Sequence, residues 1–235
     1  MGDRVVRPAI APEAARAVML RHRGHEHSGQ RRHLVEELDL PGYAMFAWDA
    51  RGHGLSPRRG HAPGVRALVK DLDTFVREAI VAPETGTENL ALVGQSARGV
   101  LAAAWVHDYA PRVRCMVLAA PAFKVKLYVP FARQALRMLY RLFGDFNVRS
   151  YVNAKFLTYD QSRIAEFHSD PLISRAISVK VLLGLFDTAA RVVQDGSAIH
   201  VPTQLLISGS AGSLAGSHSW RFLNGSGRPS RKNTR

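Results

Sequence analysis

The sequence predicts an α/β fold built on a mostly parallel sheet, and three observations carry that expectation. Apolar runs of strand length recur at 14–20, 43–48, 90–93, 113–119 and 203–208. Stretches with helical spacing alternate with several of them. Loops rich in glycine or histidine follow the carboxyl ends of the first three runs, the edge at which open parallel sheets bind ligands.

In chain order, residues 14–20 form the first expected strand and 43–48 the second. Between 61 and 82, Val65, Leu68, Val69, Leu72, Phe75, Val76 and Ile80 recur at helical spacing, which predicts an amphipathic helix. Residues 83–88 read as a loop, 90–93 as a buried strand and 100–105 as an alanine-rich helix. The run 113–119 is the next strand. An order of strand, strand, helix, strand, helix, strand requires crossover helices and a parallel sheet.

Residues 123–199 break the alternation and read as largely helical. Tyr128, Phe131, Leu136, Met138, Leu139, Leu142 and Phe143 stand against Lys124, Lys126, Arg133, Arg137 and Arg141. A basic amphipathic segment of this kind can lie on a membrane surface. It can also pack its apolar side over a site as a cap, and an insertion of this length favours the cap. Residues 181–193 read as a further cap helix carrying Asp187. A core strand returns at 203–208. From 211 to 235 the chain has no acidic residue, many Gly and Ser, and Arg221, Arg228, Arg231, Lys232 and Arg235, the composition of a largely disordered tail.

With 235 residues, 46% hydrophobic and 22% charged, the composition fits one soluble domain over 1–210 followed by a basic tail over 211–235. The single cysteine, Cys115, excludes an internal disulfide and fits a cytoplasmic location. No apolar run reaches the roughly 18 residues a membrane span needs. Charges at Asp3, Arg4 and Arg7 without an apolar stretch give no secretory signal. The net charge of +13 favours anionic surfaces without specifying one. The basic tail carries no recognisable nucleic-acid-binding fold, so no specific nucleic-acid binding is expected.

Chemistry concentrates at Gly94-Gln95-Ser96, between an expected strand and an expected helix. A serine there sits on a sharp turn with its hydroxyl clear of the sheet, facing the positive end of the helix dipole. The pattern G-x-S-x-G is met except at its fifth position, where Arg98 stands and the glycine is displaced to Gly99. The close strand–helix crossing needs a small residue, so Arg98 is expected to disturb the turn. The plainer alternative is a strand–turn–helix with an incidental serine.

The stretch 22–29 contains His22, His25, Glu26 and His27. No second cluster with ligand spacing follows, so no metal is expected. A turn that offers a backbone amide to a reacting carbonyl is the better reading. In the loop 49–56, His53 precedes the serine and has no evident orienting acid. That favours a loop-stabilising hydrogen bond over a catalytic role.

These three motifs resemble the α/β-hydrolase family, in its branch of monoacylglycerol lipases, lysophospholipases and serine aminopeptidase-like hydrolases. Residues 22–29 are similar to the branch's H-G-x-G-E-H-S-G loop, 49–56 to its D-x-R-G-H-G-x-S loop, and 94–96 to the start of its elbow. The likeness runs from about 14 to 210 and extends to hydrolase domains of bacteria, some of them fused to a methyltransferase. It implies an α/β-hydrolase fold with a helical cap within 123–199. It makes Ser96 the nucleophile and assigns the oxyanion hole to the backbone amides of Gly24 and Ala97. Arg23 and His25 stand where the family's loop has glycines. The family's acid follows closely on the strand 203–208, where this chain has Ala211. Its histidine comes later, where only His218 is available. The C-terminal part of the core is therefore expected to be missing, its strand, helix, acid and histidine replaced through a shifted reading frame near Ser210.

The function this implies is a serine hydrolase of carboxylic esters, a monoacylglycerol lipase or lysophospholipase. It would need no cofactor and no metal, and would act on a small amphiphilic ester. The alternatives are a catalytically impaired remnant of the family, or a protein that binds anionic membrane surfaces through 124–141.

Overall fold

The computed structural model describes residues 16–22, 24–80, 87–124, 131–150 and 158–207. Its centre is a parallel sheet of five strands: β1 (Arg16–Arg21), β2 (Tyr43–Phe46), β3 (Leu90–Gln95), β4 (Cys115–Ala119) and, near the end, β7 (Thr203–Leu206). They lie in the order β2-β1-β3-β4-β7, and every pairing is parallel. Val18, Met19 and Leu20 are buried in succession, as expected of a strand covered on both faces. Met19 joins the larger core with Phe46, Leu72 and Leu92. Val18 and Leu20 pack on the opposite face with Met45 and Ala47.

Two parallel neighbours need a crossover. Helix α1 (Arg32–Leu38) supplies it between β1 and β2, an element that the sequence pattern does not reveal. It buries no residue completely, and only Leu34 and Val35 lean on the smaller core. Helix α2 (Val65–Phe75) forms where periodicity predicts it, burying Val65, Leu68, Val69, Leu72 and Phe75, and continues as a π turn over Val76–Ile80. Helix α3 (Ala97–Tyr109) is buried from Arg98 through Val106. Its small side chains, Ala102, Ala103 and Ala104, let it lie centrally between the sheet and the neighbouring helices.

The segment after β4 carries α4 (Ala132–Phe143), β5 (Asn147–Arg149), α5 (Gln161–Ser169), β6 (Ala176–Ser178) and α6 (Val179–Gln194). Two findings add to the expectation of a largely helical cap. β5 and β6 pair as a short antiparallel ribbon. Helix α6 places Val181, Ala189 and Val192 in the main core beside α3, so it is a layer of the domain rather than a cover. Helix α4 rests on α6 with no buried residue of its own. Arg133 and Arg137 donate to Asp187 at 2.5 and 2.6 Å. Among the described residues no helix is long and apolar enough to cross a membrane. The tail 211–235, with Ala211 and His218, lies outside the described residues, as does Arg23.

Candidate active site

The carboxyl edge of β1 and β3 collects all three sequence motifs. Ser96 joins β3 to α3 with φ +54° and ψ −128°, a conformation that costs a non-glycine residue free energy and recurs at functional turns. The surrounding main chain fixes it. The Ser96 amide donates to the Ala119 carbonyl at 3.1 Å, and the Ser96 carbonyl accepts from the amides of Gly99 and Ala122 at 3.0 and 3.1 Å. The peptide that accepts from Ser96 also donates from its other end, through Ala120 N to the Leu206 carbonyl at 2.7 Å.

The expected disturbance by Arg98 is absent, and the glycines explain why. A Cβ on Gly94 would come within 2.9 Å of Gly99 Cα, and one on Gly99 within 3.1 Å of Pro121 Cβ. Gly94 and Gly99 are the pair that lets strand and helix touch. Arg98 meets that contact only with its carbonyl and sends its side chain toward His53 in the loop after β2.

Gly24 and Ala97 come together: a Cβ built on Gly24 would lie 3.6 Å from that of Ala97. The loop bearing Gly24 is pinned from several directions. Glu26 and Arg31 form a buried ion pair, and Arg31 Nη1 donates to Gln95 Oε1, next to Ser96, at 2.9 Å. His27 Nε2 lies 2.7 Å from Asp170 Oδ2, which also accepts from Gln30 at 2.8 Å. His25 Nδ1 is 3.0 Å from the Ser174 carbonyl, and burial lowers the pKa of its ring. His22 Nε2 accepts from the Ala50 amide at 3.3 Å, so the four side chains of the cluster that invites a metal reading go to four separate partners.

The loop after β2 braces this arrangement. The Asp49 carboxylate accepts from the amides of Ser28 at 2.7 Å and Leu55 at 2.9 Å. Gly54 holds φ +54° against it, where a Cβ would fall 2.2 Å from Asp49 Oδ2. His53 lies between two carbonyls, Nε2 2.5 Å from Gly24 O and Nδ1 3.0 Å from Arg51 O. Arg98 Nη2 sits 3.1 Å from both ring nitrogens. A neutral imidazole has one N–H to give and one lone pair to receive, so the ring can link the Arg98 guanidinium to the backbone at Gly24. Burial, reinforced by the Arg98 charge, pushes His53 down to about 3. The ring is therefore a brace for the loop, as its position before the serine suggests.

Sequence reasoning missed the Arg98–His53–Gly24 and Arg31–Gln95 links. The only available signal was a charged residue where a small one was expected, and nothing in spacing told where it would turn.

Comparison with known proteins bears on the family and the fold. A family model described as serine aminopeptidase, S33, matches residues 12–232. The uncharacterised protein YnbC of Escherichia coli is 53% identical over 203 residues, covering 86% of this chain and 35% of YnbC. A monoacylglycerol lipase of Mycolicibacterium smegmatis is 27% identical over 176 residues, covering 73% of this chain and 62% of that protein. The chain thus spans about a third of one relative and less than two thirds of the other. Among solved structures, the monoacylglycerol lipase of Paleococcus ferrophilus superposes with a TM-score of 0.81 at 24% identity, over 96% of this chain and 84% of that one, a likeness of fold. The chain belongs to the serine aminopeptidase S33 family of α/β-hydrolases, in its monoacylglycerol lipase-like branch.

Proposed function

We propose that this protein is a serine hydrolase of carboxylic esters, with Ser96 as nucleophile and the amides of Gly24 and Ala97 as oxyanion donors. The observation that carries the reading is Ser96 at φ +54° on the strand–helix junction, with Gly24 against Ala97 beside it. Ser96 Oγ would attack the acyl carbonyl and give its proton to a base. The two amides would hold the resulting oxyanion. Collapse would expel the alcohol, which takes the proton back, and water would release the acid from the acyl-enzyme. The base in this family is a histidine, for which the chain offers His218 outside the described residues. His53 is unsuited to that task, since both its nitrogens face backbone carbonyls, and burial with the Arg98 charge makes the ring a weak proton acceptor.

The substrate in this reading is a small amphiphilic ester, a monoglyceride or lysophospholipid, met in the cytoplasm. The cover over the site would come from the part of 123–199 that carries α4, the ribbon and α5. Fluorophosphonate labelling of the purified protein, with Ser96→Ala alongside, tests the reading. Labelling that disappears in the variant supports an activated Ser96. A folded protein that takes no label overturns it, and leaves the impaired remnant, for which Ala211 at the family's acid position already speaks.

One observation favours a second role at membrane surfaces. With Arg133 and Arg137 turned to Asp187, the outward side of α4 exposes Phe131, Met138, Leu142 and Phe143. This points to insertion of apolar side chains more than to charge attraction. Liposome sedimentation should therefore survive moderate salt and fall in Leu142→Asp; binding abolished by salt alone would restore the electrostatic reading.

A further inference from the structure

Arg21 and Arg98 are 4% and 3% exposed, and both lie beneath the loop that carries Gly24. All three guanidinium nitrogens of Arg21 and the Nε of Arg98 are buried without a hydrogen-bond partner. Buried charge is normally paired, because leaving water costs an ion several kcal/mol that only a partner offsets. Here the two cations are neighbours through the backbone: Arg21 pairs in register with Gly94, and a Cβ on Gly94 would lie 3.1 Å from the Arg98 carbonyl oxygen. Burial first, and then the Arg98 charge, lowers the pKa of Arg21 well below its usual value.

The carboxylates nearby are engaged elsewhere. Asp71, the acid both guanidinium groups feel, binds Arg51 through both oxygens at 2.7 and 2.9 Å. Glu26 is paired with Arg31, and Asp49 accepts the amides of Ser28 and Leu55. One face of the Arg21 guanidinium rests on the Trp48 ring, 4.0 Å from its centroid. All the donors of a guanidinium lie in its plane, so the stacked ring leaves them unused. Arg98 gives Nη2 to His53 and keeps Nε.

We propose that Arg21 and Arg98 form a buried anion-binding site under the 22–29 loop, which takes a small inorganic anion of the size and charge of chloride. The anion would meet the in-plane N–H edge of Arg21 and the Nε–H of Arg98, offsetting both their desolvation and their mutual repulsion. The near-complete burial of both side chains selects a free ion over the headgroup of a larger molecule. The site lies one hydrogen-bonded ring, His53, away from Gly24, so its occupancy steadies the loop. It does not depend on the ester-hydrolase reading.

Thermal unfolding at constant ionic strength, with chloride replacing gluconate, is the test. Melting temperature should rise with the logarithm of chloride above the dissociation constant, by roughly 5–10 °C at a hundredfold excess over it. The chloride-35 resonance should broaden in the presence of the protein. Arg21→Met should abolish both effects and should melt higher than the unsubstituted protein without chloride, since it removes an unpaired buried charge. Arg98→Met should likewise abolish both chloride effects if the first variant does not fold, with no gain in melting temperature expected because it also removes the link to His53. Equal melting in chloride and gluconate without broadening of the resonance would overturn the proposal. So would a chloride response that survives in either variant.

Discussion

Ser96 and Gly24 meet at the same edge of the sheet, yet they are held there in opposite ways. Ser96 is positioned by main chain alone: a strand, a helix, and three backbone hydrogen bonds, one given to the Ala119 carbonyl and two received from the amides of Gly99 and Ala122. The side chains that matter to it are the missing ones, at Gly94 and Gly99. Gly24 is positioned by side chains, several of them ionised, drawn from its own loop, from the loop after β2 and from the segment between α5 and β6. A turn built from backbone geometry tolerates changes of charge and pH but not added volume. A loop built from ion pairs has the reverse sensitivities.

The largest effect should come from breaking the buried pair beneath the loop. Glu26→Ala leaves Arg31 without its carboxylate and should cost about 3–5 kcal/mol in urea unfolding. A loss under about 1 kcal/mol, the range of exposed pairs, would mean that the loop does not depend on the ion pair. Next in size, Gly94→Ala drives a methyl group into Gly99 and the Arg98 carbonyl. It should cost about 1–3 kcal/mol, with little change in its dependence on pH. If Gly94→Ala is neutral, the crossing has slack and the contrast weakens.

The smallest effect is a pH response. Burial alone would raise the pKa of Asp170, but hydrogen bonds from His27, the Leu172 amide and Gln30 outweigh it, and the net shift is downward. A depressed carboxylate contributes stability that is present above its unfolded pKa, near 4, and is lost as pH falls through the folded value. Acid unfolding curves of Asp170→Asn should therefore be flatter below about pH 4, while the melting temperature of Gly94→Ala should track that of the unsubstituted protein at a constant offset. Parallel curves for Asp170→Asn would remove His27–Asp170 from the loop's supports.

The sheet and its central helices were legible because each leaves a periodic trace. The run Val18 to Leu20, the spacing from Val65 to Ile80 and the apolar segments around Val93 and Val117 each match the element observed. Helix α1 was not, because seven residues with no fully buried side chain leave too little pattern. The ribbon strands, three residues each, are shorter than any alternation can register. For α6 the period was readable but its destination was not. Amphipathicity says that a face will be buried, and only tertiary contacts decide that α3 buries it. That the motifs around Ser96 and Gly24 would meet at one edge of the sheet was legible too. The braces around them join residues as far apart in sequence as His27 and Asp170, and no local signal encodes such pairs.

The peptide unit between Ala119 and Ala120 has one further consequence. Its carbonyl receives the Ser96 amide and its amide reaches Leu206 on β7, while Ala120 takes φ +42°. One rigid plane therefore works as a crossbar between the turn and a strand at the border of the sheet. Loosening of β7 frees one end of the crossbar to rotate, and the acceptor of Ser96 rotates with it. The protection of the Ser96 amide against deuterium exchange should thus report the fraying of β7, and the turn at Ser96 inherits the breathing of that strand.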